Sequence, residues 1–130
     1  MPSSKIIKKQ DDIDFEIRFI EGVLKENPNF VEGLTILGDL YTKKGLYEKG
    51  LEVDEKLARL CPDDSLVHYN LACSYSLVQN IEKSLETIKR AVALGYSDFD
   101  YLKADHDLVN LRQDSRFQEF FLKLQASKNR

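Results

Sequence analysis

The segment TILGDLYTKKGLYEKG, residues 35–50, indicates the architecture, because NLACSYSLVQNIEKS, residues 70–84, repeats its pattern 34 residues later. Aligning the two copies places Gly38 on Ala72, with Leu37 on Leu71 before them and Tyr41 on Tyr75 after them, and a fixed period of this length is typical of stacked helical repeats. Two helices joined by a short turn approach closely only where a small residue faces the partner helix, so both positions predict helix contacts. Gly45 suits the left-handed turn between the helices.

Apolar residues recur at three- and four-residue spacing between segments rich in proline, asparagine and glycine. This pattern indicates a run of short helices. One apolar stripe consists of Phe30, Leu34, Leu37 and Tyr41, and another of Val67, Leu71, Tyr75 and Val78. Because no strand-like alternation of useful length appears, the sequence predicts an all-α fold.

The composition is that of an ordinary globular chain. Its 130 residues are 42% hydrophobic and 32% charged, with a formal net charge of -3, which gives no general attraction to nucleic acid or to anionic lipid. No apolar run could span a bilayer, and the opening MPSSKIIKKQ lacks the apolar core of a signal peptide. Cys61 and Cys73 fit neither a disulfide framework nor a zinc or redox motif, so we predict two free thiols in the cytoplasm.

The repeated residues resemble those of the tetratricopeptide repeat family, in particular small bacterial-type members with a terminal closing segment. The matching positions are Leu34, Leu37, Gly38, Tyr41 and Pro62 in the first full unit, and Leu71, Ala72, Tyr75 and Ala91 in the second. The departures are Asp54, Leu57, His68 and Tyr96, where the family usually has an aromatic, a small, a large apolar residue and a proline. The resemblance implies a right-handed α-α superhelix of stacked helical hairpins.

The resemblance also implies how the chain is organised. It predicts a single domain over residues 12–124, divided into a half unit (12–28), two full units (31–64 and 65–98) and a degenerate closing unit (99–124). Residues 1–11 are predicted to be a flexible tail and residues 125–130 a loose C-terminus. In the closing unit, His106 and Ser115 replace prolines that are usual in the family. Its expected packing set is Leu108, Leu111, Phe117, Phe120, Phe121 and Leu124.

The sequence Asp105-His106-Asp107 is the one cluster that could suggest a metal or acid/base site. A metal site needs ligands that converge from more than one segment, and no second His or Cys group is placed to join this one. His68 occupies a packing position. The chain has no phosphate-binding glycine loop, no Gly-x-Ser-x-Gly motif and no recognisable Cys/His pair. The sequence therefore predicts a protein that is not an enzyme and has no cofactor or metal. An enzyme or metal protein that uses residues 105–107 is the alternative.

In the family that this chain resembles, the first helices of the hairpins line a concave groove that binds a protein or peptide. The groove would display Glu32, Thr35, Asp39 and Thr42, then Leu66, Tyr69, Asn70, Cys73 and Ser76, with Lys103 near the end. Tyr69 and Asn70 are the predicted anchors, because an aromatic ring beside an amide combines apolar contact with hydrogen bonds to a peptide backbone. Asn70 matches one asparagine of a carboxylate clamp that some members carry, but Thr35 and Asp39 occupy other clamp positions. The sequence predicts an adaptor, chaperone-like or assembly factor that binds a peptide or a helix.

The first predicted helix supplies a second candidate surface. It resembles the second helix of a repeat unit whose first helix is missing, and it is apolar on more than one side. The candidate oligomer or docking patch consists of Phe15, Phe19, Ile20 and Val23. Because exposed apolar patches usually mark interfaces, we expect this helix to dock either a client protein or a second copy of the chain, as a homodimer.

Overall fold

The computed structural model describes the backbone of residues 4–128 and the side chains of residues 10–128. Its elements are α1 (Ser4–Glu26), α2 (Val31–Lys44), α3 (Tyr47–Leu60), α4 (Ser65–Leu77), α5 (Ile81–Ala93), α6 (Phe99–Ala104), a 3₁₀ turn (His106–Leu108), α7 (Val109–Arg112) and α8 (Ser115–Lys128). No strand occurs in residues 4–128, so the predicted all-α class is confirmed. None of these helices has the length and apolar character that crossing a membrane requires.

The chain divides into two compact units, with the boundary between Pro62 and Asp63. Unit 1 contains α1 to α3, and unit 2 contains α4 to α8. The boundary lies close to the predicted limit between the two full repeats, 31–64 and 65–98. That residues 12–124 form a single domain stays a prediction.

The ends of the chain are more helical than the sequence suggests. α1 begins at Ser4, so the backbone of residues 4–11 is helical where a flexible tail is predicted. α8 continues to Lys128, through most of the predicted loose C-terminus. No proline or glycine interrupts the sequence from residue 4 to residue 21, which removes the usual reason for a helix to stop. Residues 1–3 and 129–130 lie outside the described part of the chain.

The first hairpin is built around Gly38, as the repeat spacing predicts. A Cβ atom at Gly38 would lie 3.0 Å from Asp54 Oδ1 and 3.4 Å from Val53 Cγ1, so α2 and α3 are in close contact there. Gly45 follows α2 with φ 84°, and its N–H donates to the Thr42 carbonyl. This left-handed backbone conformation favours glycine.

One face of α1 packs on this hairpin. The buried cluster contains Ile17, Leu37, Leu40 and Tyr41, with Ile13, Ile20, Leu24, Leu46 and Val53 packed against it. The Tyr41 hydroxyl donates a 2.6 Å hydrogen bond to Glu21 of α1, and Lys44 of α2 forms an ion pair with Asp14. Burial, followed by the bond to Glu21, raises the pKa of Tyr41. Unit 1 is therefore a three-helix unit in which α1 is fixed by both apolar and polar contacts.

The second hairpin repeats the contact with Ala72 in place of glycine. Ala72 is fully buried, and the Ser84 hydroxyl of α5 donates a 2.8 Å hydrogen bond to the Ala72 carbonyl. The turn between α4 and α5 contains Gln79 with φ 65°, and the N–H of Asn80 donates to the Tyr75 carbonyl. The small residues that sequence alignment superposes thus make the same kind of helix contact in the two units.

The closing segment, residues 99–124, packs on the second hairpin. The buried core of unit 2 contains Tyr69, Ala72, Cys73, Leu85, Ile88, Ala91, Leu102, Leu108, Leu111, Phe117 and Phe121, with Phe120 and Leu124 against it. This confirms the predicted packing set of the closing unit. The two positions that lack the usual proline each follow an aspartate cap: Asp105 accepts from the N–H of Asp107, and Asp114 from the N–H of Arg116. These caps start the 3₁₀ turn and α8 without proline.

Candidate functional site

Tyr69 is buried in unit 2 rather than displayed on its surface. Only 2% of the residue is exposed, and its hydroxyl donates a 2.6 Å hydrogen bond to Asp105 Oδ2. The ring stacks on Tyr96, with centroids 4.2 Å apart, and lies tilted against Tyr101 at 6.1 Å. Burial first, then the neighbouring Cys73 and Asp105, raise the pKa of Tyr69. The prediction that Tyr69 is a groove anchor is therefore wrong, because the closing segment covers it.

Asp105 joins α4 to the end of α6. The Asp105 side chain is buried. Its Oδ2 atom accepts a hydrogen bond from the Tyr69 hydroxyl and lies 3.7 Å from the Cys73 sulfur. Its Oδ1 atom accepts a 3.0 Å hydrogen bond from the N–H of Asp107. The Asp105 carbonyl accepts from Arg112 at 2.5 Å. His106, between the two aspartates, is exposed. The carboxylate that the sequence offers for acid/base chemistry thus holds structural hydrogen bonds.

Residues 10–128 contain no group of three or more His, Cys, Asp and Glu side chains that could hold a metal ion. Both cysteines are free thiols, as predicted. Cys73 is buried, and this burial, with a smaller effect of Asp105, raises the pKa of its thiol well above the usual value. A thiol that resists ionisation is a poor nucleophile, so Cys73 behaves as a core residue.

Two other predicted groove residues of α4 are also buried. Cys73 lies in the core, and Ser76 is fully buried beneath α7. The Ser76 hydroxyl accepts from the N–H of Leu111, and its carbonyl accepts from Asn110. Their predicted display in a groove is wrong for the same reason as that of Tyr69: the closing segment packs on this face of α4.

Around the buried groove positions of unit 2, a smaller surface on α4 and α6 is accessible, which we call the α4–α6 surface. It consists of Leu66, Asn70 and Tyr101. Lys103 is also exposed, but it lies two residues after Tyr101 and so on a different side of α6. Leu66 and Tyr101 are 57% and 55% exposed, and both adjoin the buried Tyr69, Leu66 from one turn earlier on α4 and Tyr101 through its ring. The half-buried Asn70 amide has no hydrogen-bond partner among the described residues. The sequence analysis did not predict Tyr101 as a surface residue of interest. Its aromatic side chain lies outside the predicted packing set, and this could have indicated an exposed binding residue.

The predicted groove residues of unit 1 lie on α2. Glu32, Thr35 and Asp39 are exposed, and Thr42 is half-buried. Each threonine hydroxyl donates to the carbonyl four residues earlier in its own helix, and Asp39 forms an exposed 2.9 Å ion pair with Lys43. Ile36, which sequence reasoning missed, is exposed on the same face. The sequence could have indicated this residue, because Ile36 is an apolar residue of α2 that lies outside the predicted apolar stripe. That these residues bind a partner stays a prediction.

The candidate patch on α1 is exposed only in part. Phe15 and Phe19 are 64% and 62% exposed, whereas Ile20 and Val23 are half-buried. Ile20 packs against the core of unit 1. The accessible apolar surface of α1 is therefore the pair of phenylalanines, one turn apart.

No family model matches the chain. It is similar to a chloroplastic protein of Arabidopsis thaliana, with 34% identity over 80 residues, which cover 59% of this chain and 24% of that protein. It is also similar to a crystal structure of MamA, with 28% identity and a TM-score of 0.62 over 73% of this chain and 56% of the MamA chain. A MamA structure from Desulfovibrio magneticus RS-1 covers 95% of this chain and 72% of its own, with 20% identity and a TM-score of 0.65.

These likenesses concern the fold. The chain spans only 24% of the length of the chloroplastic relative and 56% of the length of the first MamA chain. The similarity therefore concerns only part of each of these proteins. The MamA structures share its helical, tetratricopeptide-like fold over most of its length. A fold of this class supports a role in protein interaction or assembly.

Proposed function

We propose that this chain is a non-catalytic, tetratricopeptide-type interaction module that binds a peptide or a helix of a protein partner. The observation that carries the proposal is the α4–α6 surface, where Leu66, one turn before the buried Tyr69, and Tyr101, in ring contact with it, are exposed and the Asn70 amide has no partner among the described residues. Exposed apolar side chains of this size next to an unpaired amide suit a ligand that offers both an apolar side chain and a backbone.

Each residue has a distinct contribution in this proposal. Leu66 and Tyr101 would bury apolar area against a side chain of the partner, and aromatic residues are common among the contacts that dominate interface energy. Asn70 would donate and accept hydrogen bonds with the partner's backbone.

The compartment belongs to the same proposal. We place the protein in the cytoplasm because its two cysteines are free thiols, which a reducing compartment maintains. The fold likeness to MamA supports interaction or assembly as the class of function, and the choice of the α4–α6 surface rests on the exposed residues of unit 2.

The proposal is tested by capturing partners from native extract with the parent protein and with the double variant Leu66→Ser/Asn70→Ala, followed by mass spectrometry. The matched control is Leu122→Ser, since Leu122 is also a highly exposed leucine of unit 2 but lies on α8. We expect a protein that the parent and the control capture and the double variant loses. With that protein purified, the double variant should bind more than tenfold more weakly, about 1.4 kcal/mol.

Leu66 and Leu122 are exposed, and the half-buried Asn70 makes no hydrogen bond among the described residues, so the variants should unfold at nearly the same denaturant concentration as the parent. An identical set of captured proteins for parent and double variant would refute the α4–α6 surface as the binding site. Equal loss from the Leu122→Ser control would show that any exposed leucine has the same effect, and would also refute it.

A further inference from the structure

The charged residues of α6 and its caps are divided between two sides of the helix. Asp98 precedes Tyr101 by three residues and Asp105 follows it by four, so both lie on the Tyr101 side. Asp98 accepts a 3.1 Å hydrogen bond from the Tyr101 N–H, and the Asp105 N–H donates to the Tyr101 carbonyl at 2.8 Å. Asp100 and Lys103 lie one residue before and two residues after Tyr101, away from that side, and approach each other to 3.9 Å. Carboxylates therefore adjoin Tyr101, whereas the lysine of α6 does not.

The other half of the α4–α6 surface brings no cation. α4 contains no Asp, Glu, Lys or Arg. His68 lies two residues from both Leu66 and Asn70, so it is on another side of α4, where it lines a cleft together with Lys83 and Arg90 of α5. The residue that caps α4 is again an aspartate, since Asp64 accepts a 3.0 Å hydrogen bond from the Leu66 N–H.

The remaining cations in the described part of unit 2 have contacts of their own. Lysines lie over the rings of Tyr75, Phe120 and Phe99, and other basic side chains pair with Asp63, Asp114 and Glu119; these residues are Lys83, Lys89, Lys128, Arg90, Arg116 and Lys123. Arg112 also approaches Asp105, but it is half-buried and donates to the main-chain carbonyls of Leu102 and Asp105. The exposed His106 follows Asp105, so binding is best measured at about pH 8, where imidazole groups in water are uncharged.

The electrostatic environment of Tyr101 reflects these carboxylates. The pKa of its hydroxyl is raised, first by Asp105, then by burial and Cys73, and then by Asp107 and Asp98. A raised pKa of a tyrosine means that negative charge is disfavoured at its hydroxyl, and the same carboxylates favour a positive charge there. Because Tyr101 is 55% exposed, a ligand can reach both its ring and its hydroxyl.

We propose that the partner segment at the α4–α6 surface carries a Lys or Arg side chain over the Tyr101 ring and toward Asp98, next to an apolar side chain on Leu66. This inference rests on the proposed function and adds the chemistry of the ligand. The long stem of a basic side chain packs on an aromatic ring, and the cation is attracted to the ring face and to the carboxylates. The Asn70 amide oxygen is a further acceptor for the same group. An acidic segment would be repelled at this position.

The probe for this inference is a random library of displayed linear peptides. It is selected on the full-length protein after depletion on the Leu66→Ser/Asn70→Ala variant, and we expect the enriched peptides to share a Lys or Arg beside an apolar residue. One enriched peptide is then synthesised with a fluorophore, both as selected and with that Lys or Arg replaced by Gln. In fluorescence polarisation the Gln peptide should bind more than about fivefold more weakly, because it loses the contact with the ring and the attraction of the carboxylates.

Asp98→Asn and Asp100→Asn form a matched pair of protein variants. Each removes one exposed carboxylate, and the two positions lie two residues apart on different sides of α6. Asparagine caps a helix as well as aspartate does, so Asp98→Asn should keep α6 intact. Asp98→Asn should weaken the basic peptide about threefold, with a smaller effect at high salt, whereas Asp100→Asn should leave its affinity within about 1.5-fold. Asp98→Asn should not change the affinity of the Gln peptide, which has no cation to contact Asp98.

Each contrary result identifies what fails. If no peptide distinguishes the parent from Leu66→Ser/Asn70→Ala, the α4–α6 surface and the basic ligand are both refuted. Enriched peptides that are neutral or acidic, or a Gln peptide that binds as tightly as the basic one, would support the surface and refute the basic ligand. Equal losses from Asp98→Asn and Asp100→Asn would show an effect of net charge alone. Equal losses of the basic and the Gln peptide in Asp98→Asn would show a structural effect, and either result would overturn the placement of the cation at Tyr101.

Discussion

Removal of one oxygen atom, by Tyr69→Phe, should destabilise unit 2 substantially. The Tyr69 hydroxyl is buried and donates a 2.6 Å hydrogen bond to Asp105 Oδ2, a length typical of a hydroxyl that donates to a carboxylate. The phenylalanine would keep the stacking on Tyr96 but leave Oδ2 with only the distant Cys73 thiol, 3.7 Å away. Hydrogen bonds to charged groups contribute about 1.5–3 kcal/mol, so we expect a loss of free energy of unfolding in that range.

The loss can be measured by urea unfolding followed by far-ultraviolet circular dichroism, because the chain has no tryptophan. Tyr101→Phe is the matched control: its side chain is exposed, and the substitution keeps the ring that lies against Tyr69. The control should change the free energy of unfolding by less than about 0.5 kcal/mol. A double-mutant cycle with Asp105→Asn isolates the bond, and its coupling energy should be on the order of 1–3 kcal/mol.

A Tyr69→Phe variant as stable as the parent, or a coupling energy near zero, would refute the reasoning. Either result would mean that the hydrogen bond to Asp105 contributes nothing beyond what water supplies in the unfolded chain. Tyr69→Ala is a poor test of binding, because it also removes a buried ring. Truncation of a buried aromatic side chain costs about 3–5 kcal/mol, and the fold of unit 2 would be affected along with any binding.

Two further predictions concern the hairpin and alkaline pH. Gly38→Leu should lower the free energy of unfolding by about 1–3 kcal/mol, because the new side chain would be forced against Asp54. Gly22→Leu is the control and should not destabilise the protein, because the space around Gly22 is open. Equal effects of the two substitutions in thermal or urea unfolding would contradict the close helix contact at Gly38. Burial raises the pKa of Tyr96 to about 12 and raises that of Tyr69 as well. A tyrosine of the unfolded chain ionises at about pH 10, so the free energy of unfolding should fall above that pH by up to about 1.4 kcal/mol per pH unit for each such tyrosine. Tyr69→Phe should reduce this slope, and an unchanged slope in urea titrations at several pH values would refute the assignment.

The helical hairpins were predictable because their determinants are local and periodic. Gly38 and Ala72 identify the contact positions from sequence alone, because a small residue that recurs at a fixed period allows two helices to pack closely. The structure places both positions in buried contacts between the two helices of a hairpin. The closing segment was predictable for the same reason, from the spacing of its leucines and phenylalanines.

The candidate site was less predictable because its limits depend on contacts between distant parts of the sequence. Leu71 and Tyr75 define the apolar stripe of α4. Tyr69 and Ser76 lie outside this stripe, so the sequence predicts that they are exposed to solvent. The closing segment packs on that face, with Asp105 accepting from Tyr69 and the N–H of Leu111 donating to Ser76. Periodicity along one helix does not show which second element will cover its other side.

The hydrogen bond between Tyr69 and Asp105 also determines how the α4–α6 surface is held together. Asp105 directly follows the last residue of α6, so the bond connects the end of α6 to the middle of α4. Tyr101 of α6 lies against the same buried ring that Leu66 adjoins on α4. A ligand that contacts both exposed residues therefore depends on a spacing fixed by buried atoms it never touches. For this reason Tyr69→Phe should weaken stability and partner binding together, whereas Leu66→Ser should weaken binding alone. Two variants of one surface would then separate the residues that contact the partner from the residues that position them.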